Sequence, residues 1–407
     1  MPWFAGGLLL QGYCHVNHCT IVENSSAAGG GAGISAYGAI YRVRHSILWD
    51  NWVGVWRGDG VHVETVGVAD LSDSVVHGYQ DTVYTSFRNT LLLGYDNIGV
   101  NPMLTPDRIH LRAGSPCIDA AGASPTGVDC DGESRPWGGA ADIGADEFVD
   151  ADGDGLPDWF EVRFGGSPTA LEPDDDLDDD GLTNIEEYER ACDPLVKSTL
   201  WVDPVAGDDA SSGLAADWDG ADGPKRTIQA AIDDCPDTGR VILKPGLYEG
   251  DGNRDLSFAG KDIIVRGVDP NDWSVVEATV IDCQGTSQNP HRGFIFESGE
   301  TSWAVLEGLT ITGGYMVGGG AIKVDGASPI IRRCRLVDNV ADAGGGAIYC
   351  RPDSRLVIEH CRIEDNVASL RGAAIWGEGS RVILRDSLIR GNRFSGDARE
   401  NSGIIQG

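Results

Sequence analysis

The sequence predicts an all-β chain: two right-handed parallel β-helix (solenoid) segments joined by a small acidic linker with short helices. Three observations predict it. A repeat of about 26 residues runs through both halves of the chain. Within each repeat the apolar residues alternate at strand period, in short runs broken by Gly and Asn. Acidic residues crowd one stretch between the halves.

The repeat is clearest in the second half. "CRLVDN" starts at Cys334, "CRIEDN" at Cys361 and "SLIRGN" at Ser387, spacings of 27 and 26. "LTITGG" from Leu309 fits the same frame one step earlier. In the first half, "CTIVEN" ends at Asn24 and "SILWDN" at Asn51, again 27 apart. One repeat makes one coil, and equivalent residues stack about 4.8 Å apart. Ile311, Leu336, Ile363 and Ile389 are expected to form one inward ladder, and Cys334 and Cys361 to stack inward as small hydrophobes. Gly314, Asn339, Asn366 and Asn392 are expected to share one turn. Gly and Asn tolerate the left-handed backbone expected there, and the amides can bond up the stack. The runs "GGGAI", "GGGAI" and "GAAI" recur every coil with no GK[ST] and no long helix after them. They read as tight corners rather than a nucleotide-binding loop.

A solenoid needs a covered end. Thr227 can N-cap a short helix near 226–235, and Ile228, Ala231, Ile232 and Cys235 share one apolar face suited to plugging the core. The expected organisation is: 1–95, final coils of a first β-helix; 96–148, its closing region; 149–195, the linker; 199–407, a second β-helix. Met1 enters mid-repeat and Gly407 stops mid-repeat, so a piece of a longer protein is expected.

The formal net charge of -32 argues against nucleic acid, which needs Lys and Arg, and against an anionic membrane surface. Nothing in the sequence is long and apolar enough for a transmembrane span, and "GGLLL" is too short, without a basic flank, for a signal peptide. Ten cysteines include no CxxC pair. "CHVNHC" (14–19) reads as a strand with alternating side chains, not a zinc finger. Cys117 with Cys130, and Cys235 with Cys283, could pair in an oxidising compartment; connectivity stays open.

Residues 142–193 hold 19 Asp and Glu against Arg163 and Arg190, a local charge of -17. From Asp150, carboxylates fall at loop positions 1, 3, 5, 9 and 12: Asp150, Asp152, Asp154, Asp158 and Glu161, with Gly155 at position 6. The pattern returns as Asp176, Asp178, Asp180, Gly181, Asn184 and Glu187. This is the twelve-residue calcium loop, in which alternate residues deliver oxygens to a hard cation and the final Glu grips with both. Leu156 and Leu182 would add backbone carbonyls. Ca2+ is therefore the expected cofactor, and the linker is expected to be loose without it and compact with it. Position 8 is Pro157 in one loop and Thr183 in the other, so the backbone pairing of a two-loop sensor is not expected.

The stretch "DADGDGLPDWFEVRFG…DLDDDGLTNIEEYERACDP" resembles the thrombospondin type 3 calcium repeats of secreted bacterial proteins. The stretch "NIGVNPML…DCDGESRPWGGAADIGADEF" resembles the choice-of-anchor closing region that follows β-helices in bacterial surface proteins. "WVDPVAGDDASSG…GPKRTIQAAIDD…VILKPGLYEG" is similar to the opening of secreted β-helix proteins of the pectate-lyase-like superfamily. These resemblances imply an extracellular or cell-surface protein with a structural or adhesive role. Polysaccharide or cell-envelope components are its candidate partners.

The same superfamily contains polysaccharide lyases and pectin methylesterases, which is the competing reading. "GYQDTVY" (78–84) resembles a methylesterase stretch, which would map oxyanion and acid/base roles to Gln80 and Asp81. "RPW" at Arg135 resembles another of its motifs, but the nucleophile motif is missing, with Asp96 the nearest candidate. A polygalacturonase would need clustered Asp and a His–Gly. "GDD" (207–209) lies before the first coil of the second solenoid, and His77–Gly78 lies in the other half. A lyase would need an Arg or Lys base, and Arg332, Arg333, Arg335 and Arg362 occupy polar positions where a solvated face is the default. No catalytic residue is assigned.

Overall fold

The computed structural model describes residues 8–11, 14–22, 24–26, 34–37, 41–49, 51–53, 63–66, 68–72, 74–76, 90–93, 97–122, 127–395 and 405–406. The chain divides into two compact units, 1–177 with 183–195, and 178–182 with 196–407.

In the second unit every strand pair among the described residues is parallel, and successive strands of each sheet come from successive coils. A seven-stranded sheet runs Thr199–Val202, Arg240–Leu243, Ile264–Gly267, Val305–Glu307, Ile330–Arg332, Arg355–Glu359 and Arg381–Arg385. Two six-stranded sheets start at Gly246–Glu249 and Leu256–Ser257, and a four-stranded sheet starts at Tyr315–Gly318. Alternation puts one ladder of each sheet inside. Val241, Val265, Leu306, Ile331 and Ile358 stack in register and are fully buried. The expected ladder Ile311, Leu336, Ile363 and Ile389 forms in register, its first three members fully buried. Cys334 and Cys361 are buried free thiols. Burying each Val, Leu or Ile contributes roughly 1.5–3 kcal/mol.

One turn of the coil carries a polar ladder. Asn339 Oδ1 accepts from Gly314 N, Asn366 Oδ1 from Asn339 N, and Asn392 Oδ1 from Asn366 N, at 2.9, 3.0 and 3.0 Å. Each amide nitrogen also donates across and within coils: that of Asn366 reaches Leu336 O, Glu364 O and Asn392 Oδ1. Asn24 and Asn51 repeat the arrangement in the first unit. The left-handed residue is not the Asn, as expected, but the residue before it: Gly313, Asp338, Asp365 and Gly391 have φ of 65°, 55°, 53° and 70°. The Asn amides themselves lie along the stack, bonded from coil to coil.

The glycine corners are needed for close approach. Gly319 has φ 65°, and a Cβ there would sit 2.2 Å from Ile322 O. At Gly345, φ 66°, the same contact with Ile348 O would be 2.1 Å.

The helix Ile228–Asp234 is N-capped by Thr227, whose hydroxyl accepts from Ala230 N. Ile228, Ala231, Ile232 and Cys235 are buried in the solenoid core. Cys235 Sγ donates to Ser198 O at 3.7 Å, and Cys283 is a buried free thiol.

The first unit stacks short parallel strands such as Cys14–Asn17, Tyr41–Arg44, Val68–Ser72 and Thr90–Leu93. The described residues of 97–148 are largely irregular apart from the short antiparallel pair Gly127–Val128 and Ser134–Arg135. The helices Asp158–Phe164 and Asn184–Arg190 share one core with them: Phe160, Leu171 and Tyr188 pack with Leu104, Leu111, Cys117, Ile143 and Ile47. The Tyr188 hydroxyl donates to Leu111 O. Among the described residues no helix is long and apolar enough to cross a membrane.

Replacing Asn366 by Ala strands several buried amide and carbonyl groups at once. We expect Asn366→Ala to cost about 2–4 kcal/mol in urea unfolding of the full chain. A loss below about 0.5 kcal/mol, the size of an ordinary surface change, would contradict the polar ladder.

Candidate metal centre

Asp150 opens the first acidic loop and shapes it. Its Oδ1 accepts from Gly153 N at 2.7 Å and its Oδ2 from Gly155 N at 3.0 Å. Gly153 and Gly155 have φ of 78° and 101°, which supplies the sharp turn that position 6 requires. Asp154 Oδ1 accepts from Leu156 N, and Asp158 Oδ1 from Ala151 N, each at 2.8 Å. Leu156 itself is fully buried. Asp150, Asp152 and Asp154 each offer an oxygen within 4.8 Å of the others.

Glu161 sits in the helix that follows the loop and is completely buried. Its Oε1 accepts from Leu171 N at 3.1 Å, while its Oε2 is buried with no hydrogen-bond partner. Desolvation, with repulsion from Asp152 and Asp154, raises the Glu161 carboxyl above its ordinary range. Asp154 and Asp158 are raised by the same two causes. A buried carboxylate oxygen without a donor is costly unless a cation meets it. The donor set is all oxygen, which fits calcium. A cleft of about 430 Å³ opens on this loop, lined in part by Asp119, Trp137, Asp150 and Asp154.

The second loop contributes residues to both units. Asp178, Asp180 and Leu182 belong to the second unit, and Asp176, Asn184 and Glu187 to the first. Asp180 Oδ1 accepts from Leu182 N, as Asp154 does from Leu156. Its Oδ2 accepts from Ser198 N, Ser198 Oγ and Thr199 N, so this carboxylate anchors the first strand of the solenoid. In the first unit Asn184 and Glu187 are fully buried on the helix Asn184–Arg190. Asn184 Nδ2 donates to Glu172 O, and its Oδ1 is buried without a partner. Thr183 and Glu186 form a capping box.

The residues considered for catalysis have other occupations. Arg135 is buried, paired with Glu147 at 3.3 Å and donating to Asp142 O and Gly144 O. Asp209 accepts from Arg226 N and Thr227 N at the cap. Arg332 and Arg333 pair with Glu307, Arg335 with Glu364, and Arg362 with Glu277. His77, Gln80, Asp81 and Asp96 lie outside the described residues.

A further cluster carries no spacing signal in the sequence. His110, Cys130, Asp131 and Asp146 each offer a donor atom, and these four atoms lie within 4.8 Å of one another. Cys117 and Cys130 are both free, the first buried and the second exposed.

Stacked parallel coils of this kind define a right-handed β-helix protein. A family model described as a right handed beta helix region matches residues 267–405, within the second unit. A search of curated proteins finds no match to the chain.

Asp142 is 1% exposed, and burial, with repulsion from Glu147, pushes its carboxyl up to about 7 against the pull of two backbone N–H donors. A raised carboxyl favours the folded state fully below its unfolded value of about 4, and that contribution is lost as pH rises through about 7. In calcium-free protein Asp142 should therefore contribute a loss of about 1 kcal/mol of stability per pH unit across that window, beside the contributions of the raised Asp146 and Glu133 carboxyls. Thermal melts at stepped pH check this, and Asp142→Asn should flatten the slope. Equal slopes in both proteins would refute the assignment.

Proposed function

We propose that this chain is a non-enzymatic extracellular or cell-surface β-helix protein whose acidic linker is held by calcium. Its role is structural or adhesive. The observation that carries the reading is the fully buried Glu161, with Oε2 lacking a partner, on the helix that follows the Asp150, Asp152 and Asp154 cluster. Calcium would be held by Asp150, Asp152, Asp154, Asp158, Glu161 and the Leu156 carbonyl in the first loop. In the second, the sequence pattern assigns Asp176, Asp178, Asp180, Asn184, Glu187 and the Leu182 carbonyl. The ion supplies positive charge that offsets carboxylate repulsion. The residues themselves supply the turn at Gly155 and the placement of Glu161 by the core contacts of Phe160.

Polysaccharide is the candidate ligand. Trp137, 45% exposed, lines the cleft beside the first loop with Asp150 and Asp154, and sugars pack on aromatic faces while their hydroxyls seek polar groups. The ion pairs that occupy Arg332, Arg333, Arg335 and Arg362 favour a structural wall over a lyase base.

Calorimetric titration of the full chain with calcium should show two sites. Glu161→Gln and Glu187→Gln should each weaken one of them at least about tenfold. No heat at millimolar calcium would refute the linker. Incubation with pectin should release neither unsaturated products nor methanol; turnover that vanishes in Asp81→Ala would overturn the non-enzymatic reading.

A further inference from the structure

The cluster of His110, Cys130, Asp131 and Asp146 lies outside both acidic loops and differs from them in chemistry. We propose that it binds one borderline divalent transition ion of the zinc class, through the His110 imidazole, the Cys130 thiolate and the carboxylates of Asp131 and Asp146.

The histidine is already oriented for the task. Its Nδ1 is hydrogen-bonded to the Asp107 carboxylate. Asp107 is in turn fixed by Thr105 Oγ1, Ile109 N and His110 N, at 2.7, 2.9 and 3.2 Å. The Trp159 ring stacks on the imidazole, centroids 4.4 Å apart and 27° from parallel. The remaining nitrogen, Nε2, points at the cluster, 3.1 Å from Asp131 Oδ2. A carboxylate behind a histidine is the usual outer support of a metal ligand, because it fixes the tautomer and raises basicity.

Asp146 gives an independent sign of a cation site. It is 1% exposed; Oδ2 accepts from Leu111 N at 2.7 Å, and Oδ1 is buried with no hydrogen-bond partner. The loop between the paired strands Gly127–Val128 and Ser134–Arg135 brings the other two donors. Asp129 shapes that loop, with Oδ1 accepting from Asp131 N and Glu133 N and Oδ2 from Glu147 N. Its carboxylate is thereby used, while Asp131 faces His110 and Cys130. Cys130 Sγ lies 3.3 Å from Asp131 Oδ2 and is exposed, which leaves a path for the ion and its displaced proton.

The donor set selects the metal. One sulfur, one imidazole nitrogen and two carboxylate oxygens make a four-ligand set of the kind zinc takes at about 2.0–2.3 Å. Calcium and magnesium want oxygen alone. The competing arrangement is a charged His110 held between Asp107 and Asp131 with no metal, and the test separates the two.

Reduced full-length chain, saturated with calcium, is titrated with Co2+ as a spectroscopic probe. One ion per chain should bind with a thiolate-to-cobalt band in the near ultraviolet, displaced by zinc. The band should vanish in Cys130→Ser, and Asp107→Asn should weaken binding about 10–100-fold. In the unmodified chain, stoichiometric zinc but not calcium should protect Cys130 from alkylation, read by mass spectrometry. No sulfur band, a band that survives in Cys130→Ser, or equal alkylation with and without zinc would overturn the proposal. Repeating the titration without calcium keeps the two readings apart, because failure of the calcium loops leaves the thiolate signal in place.

Discussion

Parallel stacking without hairpins is the constraint on which the second unit depends. A hairpin fixes its own register through its turn, whereas a parallel coil has no such device. Register must come from side chains that recognise their equivalents one coil away. Three ladders supply it. The aliphatic ladder of Val241, Val265, Leu306, Ile331 and Ile358 rewards in-register burial. The amide ladder of Asn339, Asn366 and Asn392 is directional and leaves buried groups unsatisfied if the coil slips by one residue. On the outside, Arg266, Glu307, Arg332, Glu359 and Arg385 occupy successive equivalent positions with alternating charge. Arg332 pairs with Glu307 and Arg385 with Glu359, at 2.9 and 3.1 Å. Glu307 is itself nearly buried, and a slipped register would break these pairs together.

The first unit meets a different problem. Its strands give way to a segment with little regular structure, and buried backbone must be satisfied by side chains. Carboxylates do much of that work: Asp142, Asp119, Asp129 and Glu147 all accept from backbone N–H groups. Acid is thus used in two ways within about fifty residues. Some carboxylates replace a strand ladder, and others crowd together where a cation would balance them.

Those two uses look the same in a sequence. Asp180 holds position 5 of the second acidic pattern, yet its Oδ2 holds Ser198 and Thr199. Asp150 both shapes its loop and belongs to the candidate ligand set. His110 is invisible as a ligand in the sequence because its partners lie 20, 21 and 36 residues away, in no recurring frame. At the turn of Asn366 the left-handed backbone falls on Asp365 rather than on the Asn, because amide stacking and left-handed backbone are both properties of Asn and the sequence does not separate them.

What the sequence alone determined was the periodic part. The coil length, the inward ladder through Ile311 and Leu336, the glycine corners and the cap helix after Thr227 are repeated or local, so spacing and residue type specify them. Only the tertiary structure decided which carboxylate oxygens serve backbone and which are buried without a donor. It also decided that Phe160 and Tyr188 share a core with Leu104 and Leu111. Both depend on residues distant in the chain meeting in space, and no local pattern encodes which oxygen of a side chain is already taken.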